Sequence, residues 1–133
     1  MDAQPIAVAR KAVSASYDSS MTFPDIVGML IDAGFESYMV DYRSNRATYY
    51  RPDGDSIDID LPPSDGSVAA AFDAMTVETA VHEAQSNAPG YTYKGFCDKV
   101  RAAGCAGYLV SFSGRRVVYF GRTAEIHVEH FPQ

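Results

Sequence analysis

The residues best suited to chemistry stand near the C-terminus. His127 and Glu129 are two apart in Ile126-His-Val-Glu-His130, so on a β-strand they share one face while His130 takes the other. An imidazole and a carboxylate are metal-ligating types, but two ligands do not hold a metal, and Asp58, Asp60 or His82 would have to complete the set. Asp58 and Asp60 stand on a similar strand in the first half without an imidazole. That pattern argues for a polar outer face in both places, and neither a metal nor a cofactor is expected. Cys97 with His82 or His127 as base would make a nucleophile pair, yet Cys97 sits beside Phe96 at a helical position matching Val27 and reads as core packing.

Other candidates reduce to structure. Asp53-Gly-Asp55 begins like a calcium loop but lacks the remaining ligands and the late glutamate, and reads as a turn. Gly114-Arg-Arg116 and Arg51 flank hairpin turns, where basic residues are ordinarily solvated. There is no glycine-rich phosphate loop and no Gly-x-Ser-x-Gly elbow. No residue is assigned to catalysis. The binding candidates are His127, Glu129 and Tyr119, with Asp58, Asp60 and Tyr49 as first-half counterparts.

The elements that position them follow from an internal repeat. Residues 21–50 lie over 91–120 at an offset of seventy with seven identities, among them Gly34/Gly104, Tyr38/Tyr108 and Tyr49/Tyr119. Chance would supply about two. An offset of sixty-nine carries the match into the last strand as Ile57/Ile126 and Ile59/Val128, which predicts that Ile126 and Val128 face the core and that His127 and Glu129 face outward. Two units, 6–62 and 75–132, are expected, joined by a turn-rich connector over 63–74.

Each unit reads helix, helix, strand, strand, strand. Helices are predicted over 6–17 and 77–86, the latter behind a Thr76 cap, and over 22–34 and 92–104, each opened by a threonine and closed by a glycine. Tyr38, Val40 and Tyr42 alternate with Met39 and Asp41, as Tyr108, Val110 and Phe112 do with Leu109 and Ser111. Val68-Ala-Ala-Ala-Phe72 reads as a short extra helix. The fold class is therefore α+β, two similar units packed about a pseudo-twofold as one domain over 1–133. Neither unit is large enough for a comfortable core alone.

Several runs together carry a family resemblance. They are Tyr119-Phe-Gly-Arg122, His127-Val-Glu-His-Phe-Pro132, Tyr91-Thr-Tyr-Lys-Gly-Phe96 with Ala102-Ala-Gly104, and Thr22-Phe-Pro-Asp25 with Ala33-Gly34-Phe35 and Thr48-Tyr-Tyr50. Over roughly 8–132 the chain resembles a bacterial domain-of-unknown-function family often labelled phage envelope protein-like. The resemblance implies a duplicated fold and, for some members, a prophage origin; it implies no catalytic residue. Thr123-Ala124-Glu125 departs from the Asp-Gly turn that relatives tend to carry before the last strand.

Composition narrows the function classes. The chain has 133 residues, 47% hydrophobic and 21% charged, with no run of about 20 apolar residues, so no membrane span is expected. Its first residues show no basic patch followed by an apolar run, so no secretory signal is expected. A net charge of −6 disfavours nucleic acid and anionic lipid. Cys97 and Cys105 read as free thiols of a cytoplasmic protein. Nine tyrosines stand beside no tryptophan, and six of them fall on predicted strands. Adjacent Tyr49 and Tyr50 must face opposite ways, so an aromatic lies on an outer face, where interfaces enrich such residues. The reading is a non-enzymatic module that binds a protein partner, a second copy included, through sheet edges and tyrosine-bearing faces. The alternative is a small-molecule-binding protein or enzyme with its site between the two units.

Overall fold

The computed structural model describes residues 1–132; Gln133, the last residue of the expected domain, lies outside them. The chain runs α1 (Ala3–Asp18), α2 (Phe23–Asp32), β1 (Ser37–Asp41), β2 (Arg46–Tyr50), β3 (Ser56–Asp60), then α3 (Ala74–Gln85), α4 (Tyr93–Ala102), β4 (Cys105–Ser111), β5 (Arg116–Gly121) and β6 (Ile126–His130). The strands form one antiparallel sheet in the order β3-β2-β1-β4-β5-β6. The class is α+β, as expected. Among the described residues no helix is long and apolar enough to cross a membrane.

Local sequence sets the helix ends. Thr22 Oγ1 accepts from the Asp25 amide at 3.3 Å and Thr92 Oγ1 from the Gly95 amide at 3.0 Å, which satisfies one orphan donor at each N-terminus. Gly34 (φ 93°) and Gly104 (φ 89°) end the same helices in the left-handed region. Helix α3 begins three residues before the expected 77, because Asp73 rather than Thr76 is the cap. The Asp73 carboxylate accepts from the Thr76 hydroxyl at 2.7 Å and the Thr76 amide at 3.2 Å. Residues 68–72 are not the expected helix. Their vicinity serves the end of α4 instead: the Ala69 amide donates to the Arg101 carbonyl (3.0 Å) and the Asp73 amide to the Ala103 carbonyl (2.7 Å), bonds that a local helix would withdraw.

All four helices cover one face of the sheet. Ala9, Ala12, Leu30, Val77 and Val100 bury against Tyr38, Val40, Tyr49, Tyr108, Val110, Val117 and Tyr119 in a single core. Small residues at 9 and 12 let α1 approach closely. The tyrosine rings interlock, Tyr38 stacking on Tyr49 with centroids 5.1 Å apart and Tyr108 tilting against Tyr119 at 5.4 Å. Most of the strand tyrosines are thus core residues rather than interface aromatics; Tyr50 alone of the six takes the opposite face, since its neighbour Tyr49 points in.

The last strand faces opposite to expectation. Tyr119 pairs with His127 and Val117 with Glu129, which puts His127 and Glu129 on the helix-covered face. Ile126 is 60% exposed on the other. The cause is the preceding turn. Gly121 donates to the Glu125 carbonyl and Ala124 to that of Gly121, the same closure that Arg51 makes with Asp55 and Gly54 makes with Arg51. Ala124 takes a left-handed φ of 69° where Gly54 has 91°. No residue is lost in the turn, so the offset stays seventy, and Ile57 and Ile59 correspond to His127 and Glu129 rather than to Ile126 and Val128.

Gly34 and Gly104 separate conformational strain from steric conflict. A Cβ on Gly104 would stand 2.0 Å from the Ala71 carbonyl oxygen, which is backbone, whereas one on Gly34 would meet the guanidinium end of the Arg51 side chain at 2.7 Å. Gly34→Ala should cost about 1–2 kcal/mol of left-handed strain. Gly104→Ala should cost distinctly more, since the 68–72 segment must move as well. Equal urea midpoints for the two variants would contradict this account of the connector.

Candidate functional site

The six sequence-predicted site residues divide between the two ends of the sheet. Strands β3 and β6 are opposite edges, so Asp58, Asp60 and Tyr49 do not meet His127, Glu129 and Tyr119, and no shared site lies between them. Asp58 and Asp60 project from the uncovered face, where Asp58 accepts from Thr48 Oγ1 at 2.7 Å and Asp60 lies 3.5 Å from Arg46 Nε. Tyr49 is core. At the other edge a polar cluster forms beneath α3.

His127 and Glu129 occupy core-facing positions with side chains 18% and 16% exposed. Burying two such groups is costly unless each is partnered. His127 Nε2 lies 3.0 Å from Glu129 Oε1, in a hydrogen bond. Helix α3 brings His82 Nε2 to 3.2 Å from the same oxygen and, one turn earlier, Glu78 Oε1 to 4.0 Å from His82 Nε2. The Tyr119 ring borders His127 with centroids 6.4 Å apart. Glu78, His82 and Glu129 offer ligand atoms all within 4.8 Å of one another, the one group of three among the described residues that could hold a metal ion. Glu78 was missed by sequence reasoning; its signal was the Glu-x-x-x-His spacing on a helix, which places both side chains on one face.

Cys97 is packed in the core, as its spacing predicted. Tyr42 donates its hydroxyl to Cys97 Sγ at 3.5 Å, and the Tyr93 and Tyr108 hydroxyls bond to each other beside it. Burial pushes the Cys97 thiol above its ordinary range and Cys105 up to about 11, so both stay protonated near neutrality. A protonated, buried thiol is a poor nucleophile. Above Tyr42 and Cys97 lies a cleft of about 700 Å³, bounded by Tyr17, Arg101 and the connector. Its charges are spent on each other: Arg101 bonds both Asp65 and Asp98, and Lys94 pairs with Asp98.

The turn candidates behave as turns. Asp53 Oδ1 accepts from the Asp55 amide at 2.9 Å. Arg51 donates to the Ala33 carbonyl and lies over Phe35, Arg115 donates to the Pro132 carbonyl and lies over Phe131, and Arg116 donates to the Gly114 carbonyl.

The uncovered face of the sheet is apolar over its β4–β6 half. Leu109 (38% exposed) and Ile126 stand out on it, flanked by Met39, Val118, Phe120 and Val128. Phe120 lies across Gly107, where a Cβ would come within 2.7 Å of its ring. Tyr50 extends the face over β2. No family model and no curated protein matches the chain.

The tyrosine core predicts an alkaline limit to stability. Burial raises the phenols of Tyr38, Tyr42, Tyr49, Tyr93, Tyr108 and Tyr119 above their ordinary value. A group whose folded pKa is raised contributes its full stability below the unfolded pKa, so stability should hold up to about pH 10 and fall progressively as the unfolded phenols ionise. Most of the tyrosinate absorbance change should coincide with loss of circular dichroism. A smooth titration of still-folded protein would contradict it.

Proposed function

We propose that the chain is a non-enzymatic protein-interaction module that associates with a second copy of itself through the uncovered face of its sheet. The observation that carries this reading is that four helices cover one face while Leu109, Ile126, Val128, Val118 and Phe120 remain on the other. A contiguous apolar face rimmed by polar residues marks an interaction site. An isologous twofold that sets the β4–β6 half of one copy on that of the other covers these side chains with each other.

The internal architecture belongs to the same proposal. We take 6–62 and 75–132 to be repeats of one unit related by a pseudo-twofold. In support, Met39 pairs with Leu109, its partner at offset seventy, and the flanking pairs Val40 with Tyr108 and Tyr38 with Val110 are symmetric about it. The resemblance to the phage envelope protein-like family supports a prophage-associated role, and two free buried thiols support a cytoplasmic setting.

A second reading, small-molecule binding, is favoured by the cleft above Tyr42 and Cys97, whose volume falls within the range of ligand sites. Native mass spectrometry of protein purified from its own cell should then show a small-molecule adduct that Tyr42→Phe weakens; bare protein counts against it.

Light scattering across a concentration series tests the module. Wild-type protein should reach the dimer mass, and the double variant Leu109→Asp, Ile126→Asp should stay monomeric while keeping the circular dichroism of the folded chain. A monomer at every concentration overturns the reading.

A further inference from the structure

We infer that Glu78, His82 and Glu129 form a divalent transition-metal site, zinc being the fitting ion, with His127 as the positioning partner of the Glu129 carboxylate. This inference stands apart from the interaction face, which lies on the other side of the sheet.

Three observations carry it. The first is spacing: Glu78 and His82 are one helical turn apart on α3, and His127 and Glu129 are alternate residues on the inner face of β6, so two rigid elements aim four donors at one place. The second is distance. Zinc with bonds of about 2.0–2.1 Å in tetrahedral geometry sets its ligand atoms about 3.3–3.4 Å apart. His82 Nε2 stands 3.2 Å from Glu129 Oε1 and 4.0 Å from Glu78 Oε1, separations that small side-chain rotations bring to that value. The third is placement. The inner face of β3 carries Ile57 and Ile59 opposite Tyr49 and Ala47, whereas that of β6 carries His127 and Glu129 opposite Tyr119 and Val117. An apolar pair would bury more favourably there, and α3 supplies an imidazole and a carboxylate above it.

The chemistry of the donors narrows the ion. One imidazole and two carboxylates suit a borderline divalent cation better than calcium, which prefers an all-oxygen shell, or copper(I), which prefers sulfur. Three protein ligands leave a fourth position open to water. The hydrogen bond from His127 to Glu129 is the kind of outer contact that orients a ligating carboxylate. His82 and Glu78 are half exposed, which leaves an entry path from solvent.

Calorimetric titration of untagged, chelator-stripped protein with zinc chloride tests this. The wild type should take up one zinc per chain with a rise in melting temperature, and His82→Ala, which removes a ligand, should weaken binding well beyond the roughly tenfold that loss of an outer hydrogen bond costs, while folding normally. Glu129→Gln should do the same, His127→Ala should weaken uptake less, and His130→Ala, on the opposite face, should bind as the wild type does. Absence of saturable uptake, or uptake that His82→Ala and Glu129→Gln leave intact, overturns the assignment, as does uptake lost with His130→Ala alone.

Discussion

Strand β1 pairs with β4 from Ser37 opposite Ser111 to Asp41 opposite Gly107, and the single sheet and shared core depend on that ladder. It converts two three-stranded meanders, each with two exposed edges, into one sheet with β3 and β6 as its borders. Three strands and two helices alone would bury a smaller share of their surface than the joined domain does. Joined, they share a core in which Tyr38 touches both Tyr108 and Phe112 across the seam. The Tyr42 amide donates to the Ala106 carbonyl and the Phe112 amide to that of Glu36, extending the seam beyond the strands themselves. Gly107 belongs to the same constraint, since a Cβ there would stand 2.3 Å from the Val40 carbonyl oxygen.

The one-sided placement of helices has two consequences that pull in different directions. On the covered face, tyrosines fill the core and find partners for their hydroxyls, as Tyr93 does with Tyr108 and Tyr42 with Cys97. No buried side-chain nitrogen or oxygen among the described residues is left without one. On the uncovered face, apolar side chains of β4, β5 and β6 stay partly open to solvent. Glu129 and His127 are exceptions on the covered side: polar residues where the fold offers an apolar position, compensated by each other and by α3.

Turn chemistry decides which residues become these exceptions. Because Ala124 accepts a left-handed conformation that ordinarily favours glycine, the turn between β5 and β6 closes as the glycine-containing turn between β2 and β3 does. A turn one residue shorter would have placed Ile126 and Val128 inside and the imidazole and carboxylate in solvent. The polar cluster therefore owes its existence to one strained alanine.

Much of the fold was legible along the chain. Threonine caps and closing glycines marked α2 and α4, and period-two alternation marked β1 and β4, because these signals are local and each residue's neighbours in sequence are its neighbours in space. The core role of Cys97 followed in the same way from its helical spacing beside Phe96. What the chain alone could not decide were matters of register and proximity. Whether 68–72 coils depends on the carbonyls at the end of α4, which that segment meets only after folding. Which way His127 and Glu129 face depends on the parity of one turn, and a single residue inverts it. That Glu78 and His82 join them depends on α3 packing across β6, a contact between segments more than forty positions apart. Local propensity writes the elements, but the pairing order of strands and the covering of one sheet face are decided by long-range burial, and the candidate site exists only where those two meet.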